Sequence, residues 1–436
     1  MRARREALTA ALTAQEAGAW TLSSFAAWPG GPDKRREPVL LPGVHGTGFT
    51  QDGQPVQVQE SPDGVWAMAE LPKLGSAVLH ETGAVPAAAS AFAWDPASRT
   101  LTTPQLTVRW NAAGQIESLV HAGRETLSGP ANVLEIYEDK PMAHDAWDID
   151  IYYTQKRETA VLCGTPEVVE DGALRFVLRF VWTYNASRFV QDVTFWAHTP
   201  RVDFVTRADW HEDHRLLKAA FPAAVRATSA RYDIQYGFVE RPTHQNTSWD
   251  LAKFEVCAHK WADVSQDDFG AALLNDCKYG HNIRSEGQRG NVMRISLLKA
   301  PKAPDTEADM GTHTFTYAFL PHEGSLTRSD VIAQSTFLNL PVRVTPGAAD
   351  GRQLFRVEGS VNVDAVKRPD DGSDGVILRI HEGLGGSAAV RITSDFGIRS
   401  WQPVDLPERP LAAPVEDSAI EVTLRPFEIR NFLVRF

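Results

Sequence analysis

The sequence predicts a mainly β protein in which a large sandwich is flanked by smaller β-sandwich domains, with one helix at the amino end. Three observations carry this. Leu174, Phe176, Leu178, Phe180 and Trp182 alternate with Arg175, Arg179 and Thr183, the period of a strand with one buried face. The apolar runs are joined by segments rich in Pro, Gly and Asp, not by helical crossovers. A chain of 436 residues also exceeds one ordinary core, so several domains are expected.

The elements follow in order. Leu8 and Leu12 stand four apart with Ala7 and Ala11 beside them and Gly18 beyond, so residues 6–17 read as an amphipathic helix, the one convincing helix of the chain. No second helical stripe is present to receive its apolar face, so residues 1–20 are expected to be the last helix of a bundle whose other members are missing. Residues 21–87, with short apolar stretches such as Pro38-Val-Leu-Leu and Val65-Trp-Ala-Met between Gly and Pro clusters, form a small β domain. Residues 88–345 form the central sandwich. There Asn185-Ala-Ser turns the strand of Leu174 to Trp182 into one carrying Phe189, Val193 and Phe195, and Val202 to Thr206, Val292 to Leu298 and Phe315 to Phe319 are further strands. After Pro346-Gly347 a third β domain, 346–436, carries strands at Val376 to Ile380, Val390 to Thr393 and Glu421 to Leu424, with His381-Glu-Gly-Leu-Gly-Gly386 as a glycine hairpin.

Composition narrows the function. Lys and Arg number 44 against 55 for Asp and Glu, a net charge of −11 that repels nucleic acid. No run approaches the ~18 apolar residues of a membrane span. Cys163, Cys257 and Cys277, odd in number and widely spaced, suit neither a disulfide framework nor a zinc ribbon and read as reduced core thiols. The polar Thr9, Thr13, Gln15 and Glu16 interrupt any signal sequence, so a cytoplasmic location is expected. G-x-S-x-G, P-loop and C-x-x-C motifs are absent.

The densest polar-aromatic stretch runs from Asn132 to Lys156 and sets Glu138, Asp139, His144, Asp145, Asp148 and Asp150 around Trp147, Tyr152 and Tyr153. Carboxylates that accept hydroxyl hydrogen bonds beside indole faces suit sugar recognition, and a solvated loop whose carboxylates cap turns is the competing reading. A catalytic carboxylate pair would need a separation of about 5 Å or roughly 6.5–9.5 Å, which sequence spacing does not define. Arg241-Pro-Thr-His-Gln-Asn-Thr-Ser-Trp-Asp250, with Arg241, His244 and Asn246, either lines a cleft or satisfies a buried turn. Asp276, Lys278 and Tyr279 follow the end of an apolar strand and are placed at the rim of the sandwich. His211 and His214 lack the helical i, i+4 spacing of a zinc motif.

The segments EIYEDKPMAHDAWDIDIYY, DWHEDHRLLKAAFP, YGFVERPTHQNTSWDLAKFEVCAHKWADVS, LLNDCKYGHNIR and SLLKAPKAPDTEADMGTHTFTYAFLPHEG, in this order, resemble the carboxyl-terminal half of cytosolic-type α-mannosidases, glycoside hydrolase family 38. The resemblance is densest from Asn132 to Gly324, and LRIHEGLGG and LRPFEIR extend it to the end. It implies an amino-terminal α/β barrel and three-helix bundle outside this sequence, followed by β domains dominated by a galactose-mutarotase-like supersandwich. It implies retaining hydrolysis of α-linked mannose, with an aspartate nucleophile and zinc or cobalt held by the barrel and bundle. No counterpart of the family's early histidine-x-aspartate motif or bundle histidines is present, so no catalytic residue or metal ligand is assigned here. The implied partners are an amino-terminal catalytic half and α-mannosides or oligomannose glycans, with homo-oligomerisation left open.

The family's supersandwich closes one side of the active-site cleft. By motif this puts His144, Asp145, Trp147, Asp148 and Asp150, then Arg241, His244 and Asn246, then Asp276, Lys278 and Tyr279 toward substrate. The family often has an aromatic at His144 and an arginine or tyrosine at Gln245, departures that bear on linkage preference. Two other readings stand beside this one: a stand-alone carbohydrate-binding β module, and a hydrolase using the Asp139 to Asp150 carboxylates.

Overall fold

The alternation over Leu174 to Trp182 becomes the longest hairpin of the protein. Arg175–Tyr184 pairs antiparallel with Ser187–Trp196, in register from Arg175 opposite Trp196 to Tyr184 opposite Ser187. Asn185 turns the chain with φ +45°, a left-handed conformation that its short polar side chain tolerates. The computed structural model describes residues 18–25, 28–29, 34–84, 88–349 and 351–436, and the helix expected over residues 6–17 lies outside them.

The chain divides into two compact units. One gathers the described residues within 18–88, 235–238 and 340–436, and the other residues 89–234 and 239–339. In the first, Ala19–Ser24 lies between Gly75–Glu81 and Arg343–Pro346, while Lys34–Pro42 pairs with Gly64–Pro72. Further along, a sheet centred on Val376–His381 and Ile429–Arg435 and another centred on Ala388–Thr393 bury Leu378, Ile380, Val390, Ile392, Ile420, Leu424, Phe432 and Val434. Because Val376–His381 and Ala388–Thr393 belong to different sheets, His381 to Gly386 is not the expected glycine hairpin but a connection between sheets. Glu382 organises it, accepting the backbone N–H groups of Leu384, Gly385 and Phe427.

The second unit is a sandwich of a ten-stranded and a six-stranded antiparallel sheet, with a five-stranded sheet over Ala93–Asp95 to Arg124–Glu125. Phe176, Leu178, Phe180, Trp182, Phe189, Phe195, Phe204 and Phe319 from the larger sheet pack with Ile136, Leu217, Phe221, Met293 and Ile295 from the smaller one in a single core. Gly290 starts the last strand of the smaller sheet: its φ is +63°, and a Cβ there would sit 2.5 Å from the Ala223 carbonyl oxygen.

Two expectations are corrected. Val331–Asn339 is a nine-residue helix that the sequence reading missed, because it is buried around most of its circumference and shows no amphipathic stripe. Cys163, Cys257 and Cys277 are free but exposed, since each stands on a strand edge or turn and not in the core. Among the described residues no helix is long and apolar enough to cross a membrane.

Candidate functional site

The six-stranded sheet positions the site. Its strands are β1 (Val133–Glu138), β2 (Arg157–Thr159), β3 (Arg215–Ala223), β4 (Val256–Cys257), β5 (Gly280–Ser285) and β6 (Asn291–Lys299), in spatial order β2-β1-β3-β6-β5-β4. Leu134, Ile136, Leu217, Ala219, Ile283, Met293 and Ile295 face the core. Period two then puts Glu135, Tyr137, Lys218, Asn282, Arg294 and Ser296 together on the opposite face, in the observed register of Glu135 with Lys218, Lys218 with Ser296 and Asn282 with Arg294. Sheet faces turned away from a core are normally wet, yet every one of these side chains except that of Ser296 is buried.

Connections from opposite edges of the sheet provide the cover. One joins β1 to β2 and ends in a 3-10 turn, Ile151–Gln155, which turns Tyr153 inward. The Tyr153 ring meets Tyr137 edge-on at 5.0 Å and lies under the Lys218 ammonium at 5.4 Å. The other leads into β4 through a short helix, α1 (Ser248–Leu251), fixed by a capping box in which the Thr247 hydroxyl accepts the Asp250 N–H and the Asp250 carboxylate accepts the Thr247 N–H. The Thr247 hydroxyl, donating to the Asp250 carboxylate at 2.8 Å, and the Thr247 N–H hold that carboxyl below its usual range. Phe254 reaches the Tyr153 ring at 6.3 Å. Arg284 ties the same segment down, donating to the carbonyls of His244 at 3.1 Å and Asp250 at 3.0 Å. Asn282 Nδ2 donates to the Tyr153 hydroxyl at 3.0 Å and to the Phe254 carbonyl at 3.2 Å.

The buried face is an ion-pair and hydrogen-bond network. Glu135 accepts Arg157 at 2.7 Å, Arg294 at 2.8 Å and the Tyr137 hydroxyl at 2.6 Å, and Arg294 also donates to Glu286 at 2.6 Å. Lys218 pairs with Glu255, which accepts the Ser296 hydroxyl at 2.7 Å. Burial pushes the Glu135 carboxyl up, but the Arg294 guanidinium outweighs it and holds the group below its ordinary range. Burial raises the Tyr137 and Tyr153 hydroxyls, which stay protonated donors, and lowers the Lys218 ammonium.

The sequence-predicted residues fall around this face in three groups. In the β1–β2 connection His144, at φ +53°, stacks on Trp147 with ring centres 5.7 Å apart, and Trp147 is 84% exposed. Asp145 accepts the backbone N–H groups of Lys302 at 2.6 Å and Ala303 at 3.2 Å, and Asp150 accepts that of Met142 at 2.7 Å. The Lys299 ammonium gathers the Asp145 and Asp148 carbonyls at 2.6 and 2.5 Å, and Asp139 at 3.3 Å. In the second group Arg241 lies over the Tyr232 ring at 4.9 Å, with Nη1 buried and without a hydrogen-bond partner, and its desolvation lowers the guanidinium from its ordinary value. His244 Nδ1 stands 3.5 Å from Asp250 and accepts the Asn246 N–H at 3.4 Å. The connections that carry these two groups touch at Tyr153 and Phe254, while no contact joins the named residues of one group to those of the other among the described interactions.

The third group lies apart, in the turn before β5. There Asp276 accepts the Thr316 N–H at 3.0 Å, Lys278 caps the Phe315 ring at 4.6 Å, and Tyr279 packs on His259 at 5.3 Å. Sequence reasoning missed Arg157, Asn282, Glu255 and Arg294, along with the exposed Trp249 on α1. The polar positions alternating with core residues in β1, β5 and β6 were the available signal.

Among the described residues no group of three or more His, Cys, Asp or Glu is arranged to hold a metal. The nearest approach, Asp139 and Asp145 with His214 3.6 Å from Asp145, already faces the Lys299 ammonium.

Comparison with known proteins agrees with this architecture. Residues 101–307 match the glycosyl hydrolases family 38 C-terminal domain, and residues 360–432 match the glycosyl hydrolases family 38 C-terminal beta sandwich domain. Alpha-mannosidase 2C1 of Homo sapiens is 37% identical over 353 residues, covering 77% of this chain and 34% of that protein. An alpha-mannosidase of Saccharomyces cerevisiae is 34% identical over 356 residues, covering 72% of this chain and 32% of that protein. The chain thus spans about a third of the length of the curated relatives it matches. The crystal structure of an alpha-mannosidase from Enterococcus faecalis V583 covers 100% of this chain and 58% of its own, with a TM-score of 0.74 at 14% identity, a likeness of fold. With both β regions matched in order and relatives 34–37% identical over most of its residues, the chain belongs to glycoside hydrolase family 38, as a carboxyl-terminal region of the α-mannosidase type.

Proposed function

We propose that these residues form the cleft-forming, carbohydrate-contacting part of an α-mannosidase that hydrolyses terminal α-linked mannose with retention. In this reading the catalytic carboxylates and the zinc or cobalt ion come from an amino-terminal catalytic half outside the 436 residues. A cytoplasmic location belongs to the same reading and rests on the likeness to the cytosolic type. The observation that carries the reading is the Trp147 platform. An indole 84% exposed, stacked on His144 and carried on a connection pinned by Lys299 and Asp145, presents a flat apolar face held in a fixed place. A pyranose offers the matching surface, an apolar face for the ring and hydroxyls for nearby carboxylates such as Asp148.

The deciding experiment is hydrolysis of an aryl α-mannoside by the purified chain with zinc or cobalt added, alone and mixed with a barrel-plus-bundle fragment of the same family. Turnover in the mixture alone supports the reading, and turnover by the chain alone overturns the assignment of catalysis to the other half. Mannoside binding without turnover in either case would favour a stand-alone binding module.

A further inference from the structure

The ends of three neighbouring strands of the six-stranded sheet carry a group of charges beside the β1–β2 connection. Asp139 follows β1, His214 precedes β3 and Lys299 closes β6. The Asp139 N–H donates to the His214 carbonyl at 2.9 Å and the His214 N–H to the Ala300 carbonyl at 2.8 Å, which fixes these ends against one another. Asp139 is only 1% exposed, and burial pushes its carboxyl up more than the Lys299 ammonium, 3.3 Å away, pulls it back. As a source of stability such a buried pair has little advantage, since well-packed apolar side chains of similar volume often serve as well or better. Apolar side chains, however, donate no hydrogen bonds.

The ammonium has three N–H groups and three acceptors around it: the Asp139 carboxylate, the Asp145 carbonyl at 2.6 Å and the Asp148 carbonyl at 2.5 Å. Those two carbonyls bracket Trp147, in a turn closed by the Trp147 and Asp148 N–H groups on the His144 carbonyl at 2.7 and 2.9 Å. The Asp145 end of the turn has a second anchor in the N–H groups of Lys302 and Ala303. At the Asp148 end Lys299 is the one group from outside the connection that holds it, among the described interactions.

We infer that Lys299, with Asp139 as its counter-ion, is the positioning residue of the Trp147 platform and sets the turn of His144 to Asp148 so that the indole is presented in one place to a sugar. The inference rests on the carbohydrate reading above. Neither residue touches the sugar: Asp139 holds the ammonium beside the turn, and the ammonium holds the turn.

The test joins hydrogen exchange on the 436-residue chain to hydrolysis of an aryl α-mannoside by the reconstituted mixture, for Lys299→Met, Lys299→Arg and Asp139→Asn/Lys299→Met. The double variant removes the buried charge that Lys299→Met strands, so it reports on the turn even where the single variant fails to fold. Exchange in peptides spanning the turn should quicken about tenfold in the double variant, with exchange in the sheet unchanged. KM should rise about fivefold with kcat little changed, because a misplaced platform weakens ground-state and transition-state binding alike. Lys299→Arg keeps the charge and the donors, and should stay closer to the parent than to the double variant in both measurements. Unchanged exchange in the turn, or Lys299→Arg as impaired as the double variant, would overturn the inference. Faster exchange with an unchanged KM, where Trp147→Ala raises KM, would overturn it too while leaving the carbohydrate reading standing. An unchanged KM in Trp147→Ala as well, or no turnover by the parental mixture, would remove the platform's part in hydrolysis and the inference with it.

Discussion

The Asn282 amide donates to the Tyr153 hydroxyl at 3.0 Å, tying β5 to a connection that leaves the sheet from its far side. The same hydroxyl lies 3.4 Å from Glu255, at the end of the second connection. One oxygen thereby joins the sheet to both segments that cover it. Tyr153→Phe keeps the packing and removes this junction, so a loss of about 1 kcal/mol is expected. Tyr153→Ala also empties the space between Tyr137 and Phe254 and should cost roughly 3 kcal/mol or more. Urea unfolding of the three proteins checks this order, and equal midpoints for parent and Phe variant would show that the hydroxyl is not a junction.

Arg294 stands between Glu135 and Glu286 and is only 6% exposed. Arg294→Met strands a buried carboxylate and should destabilise by about 3–5 kcal/mol, whereas the double variant Glu135→Leu/Arg294→Met removes both charges and should lose much less than the sum of the singles. A double-mutant cycle by chemical denaturation measures the coupling. Additive losses would mean that Arg157 and Tyr137 satisfy Glu135 without Arg294.

Burial of Tyr153 gives a signature at high pH. Its folded pKa is raised above the unfolded value of about 10, because burial disfavours the phenolate. A group raised on folding stabilises fully below its unfolded pKa and loses that contribution as pH climbs toward its folded pKa. Stability should therefore fall from pH 10 upward, more steeply in the parent than in Tyr153→Phe. Burial lowers the pKa of Lys218, whose opposite contribution grows below its unfolded value of about 10.4 and levels off above it, so the difference between the two proteins is the quantity to read. Parallel curves would contradict the assignment.

The parts of this molecule readable in its sequence are those fixed by local period. Alternation revealed the hairpin of Arg175–Tyr184 with Ser187–Trp196 and the strands within Val292 to Leu298 and Phe315 to Phe319 because the partner lies a short turn away or the apolar face is unambiguous. The polar face was less legible. Glu135 and Arg294 are 159 residues apart, and nothing local says that their strands belong to one sheet and face the same way. Asp145 and Asp150 were read as acceptors for sugar hydroxyls, and each has a carboxylate oxygen engaged by backbone N–H groups of Lys302, Ala303 or Met142. Composition marks such a loop as polar and aromatic, but which oxygens the backbone claims is decided by the fold. Trp147 needed no such information, because an indole in a carboxylate-rich loop is conspicuous wherever the loop lies.

The Trp147 platform makes the prediction most directly tied to catalysis. With 84% of the residue exposed, Trp147→Ala should change stability by no more than about 0.5 kcal/mol. If the ring holds a sugar, aryl α-mannoside hydrolysis by the reconstituted mixture should show KM raised roughly 5- to 30-fold, the equivalent of about 1–2 kcal/mol of lost contact, with kcat little changed because a platform binds ground and transition states alike. His144→Asn separates the ring from its bracing. Asparagine accepts the left-handed φ of +53° but offers no surface to stack on, so Trp147 keeps its place with more freedom and KM should rise by a smaller factor. Steady-state kinetics on the two variants decides the matter. A rise in the Asn variant as large as in the Ala variant would mean that His144 itself meets the substrate, and unchanged KM in both would remove this connection from the cleft.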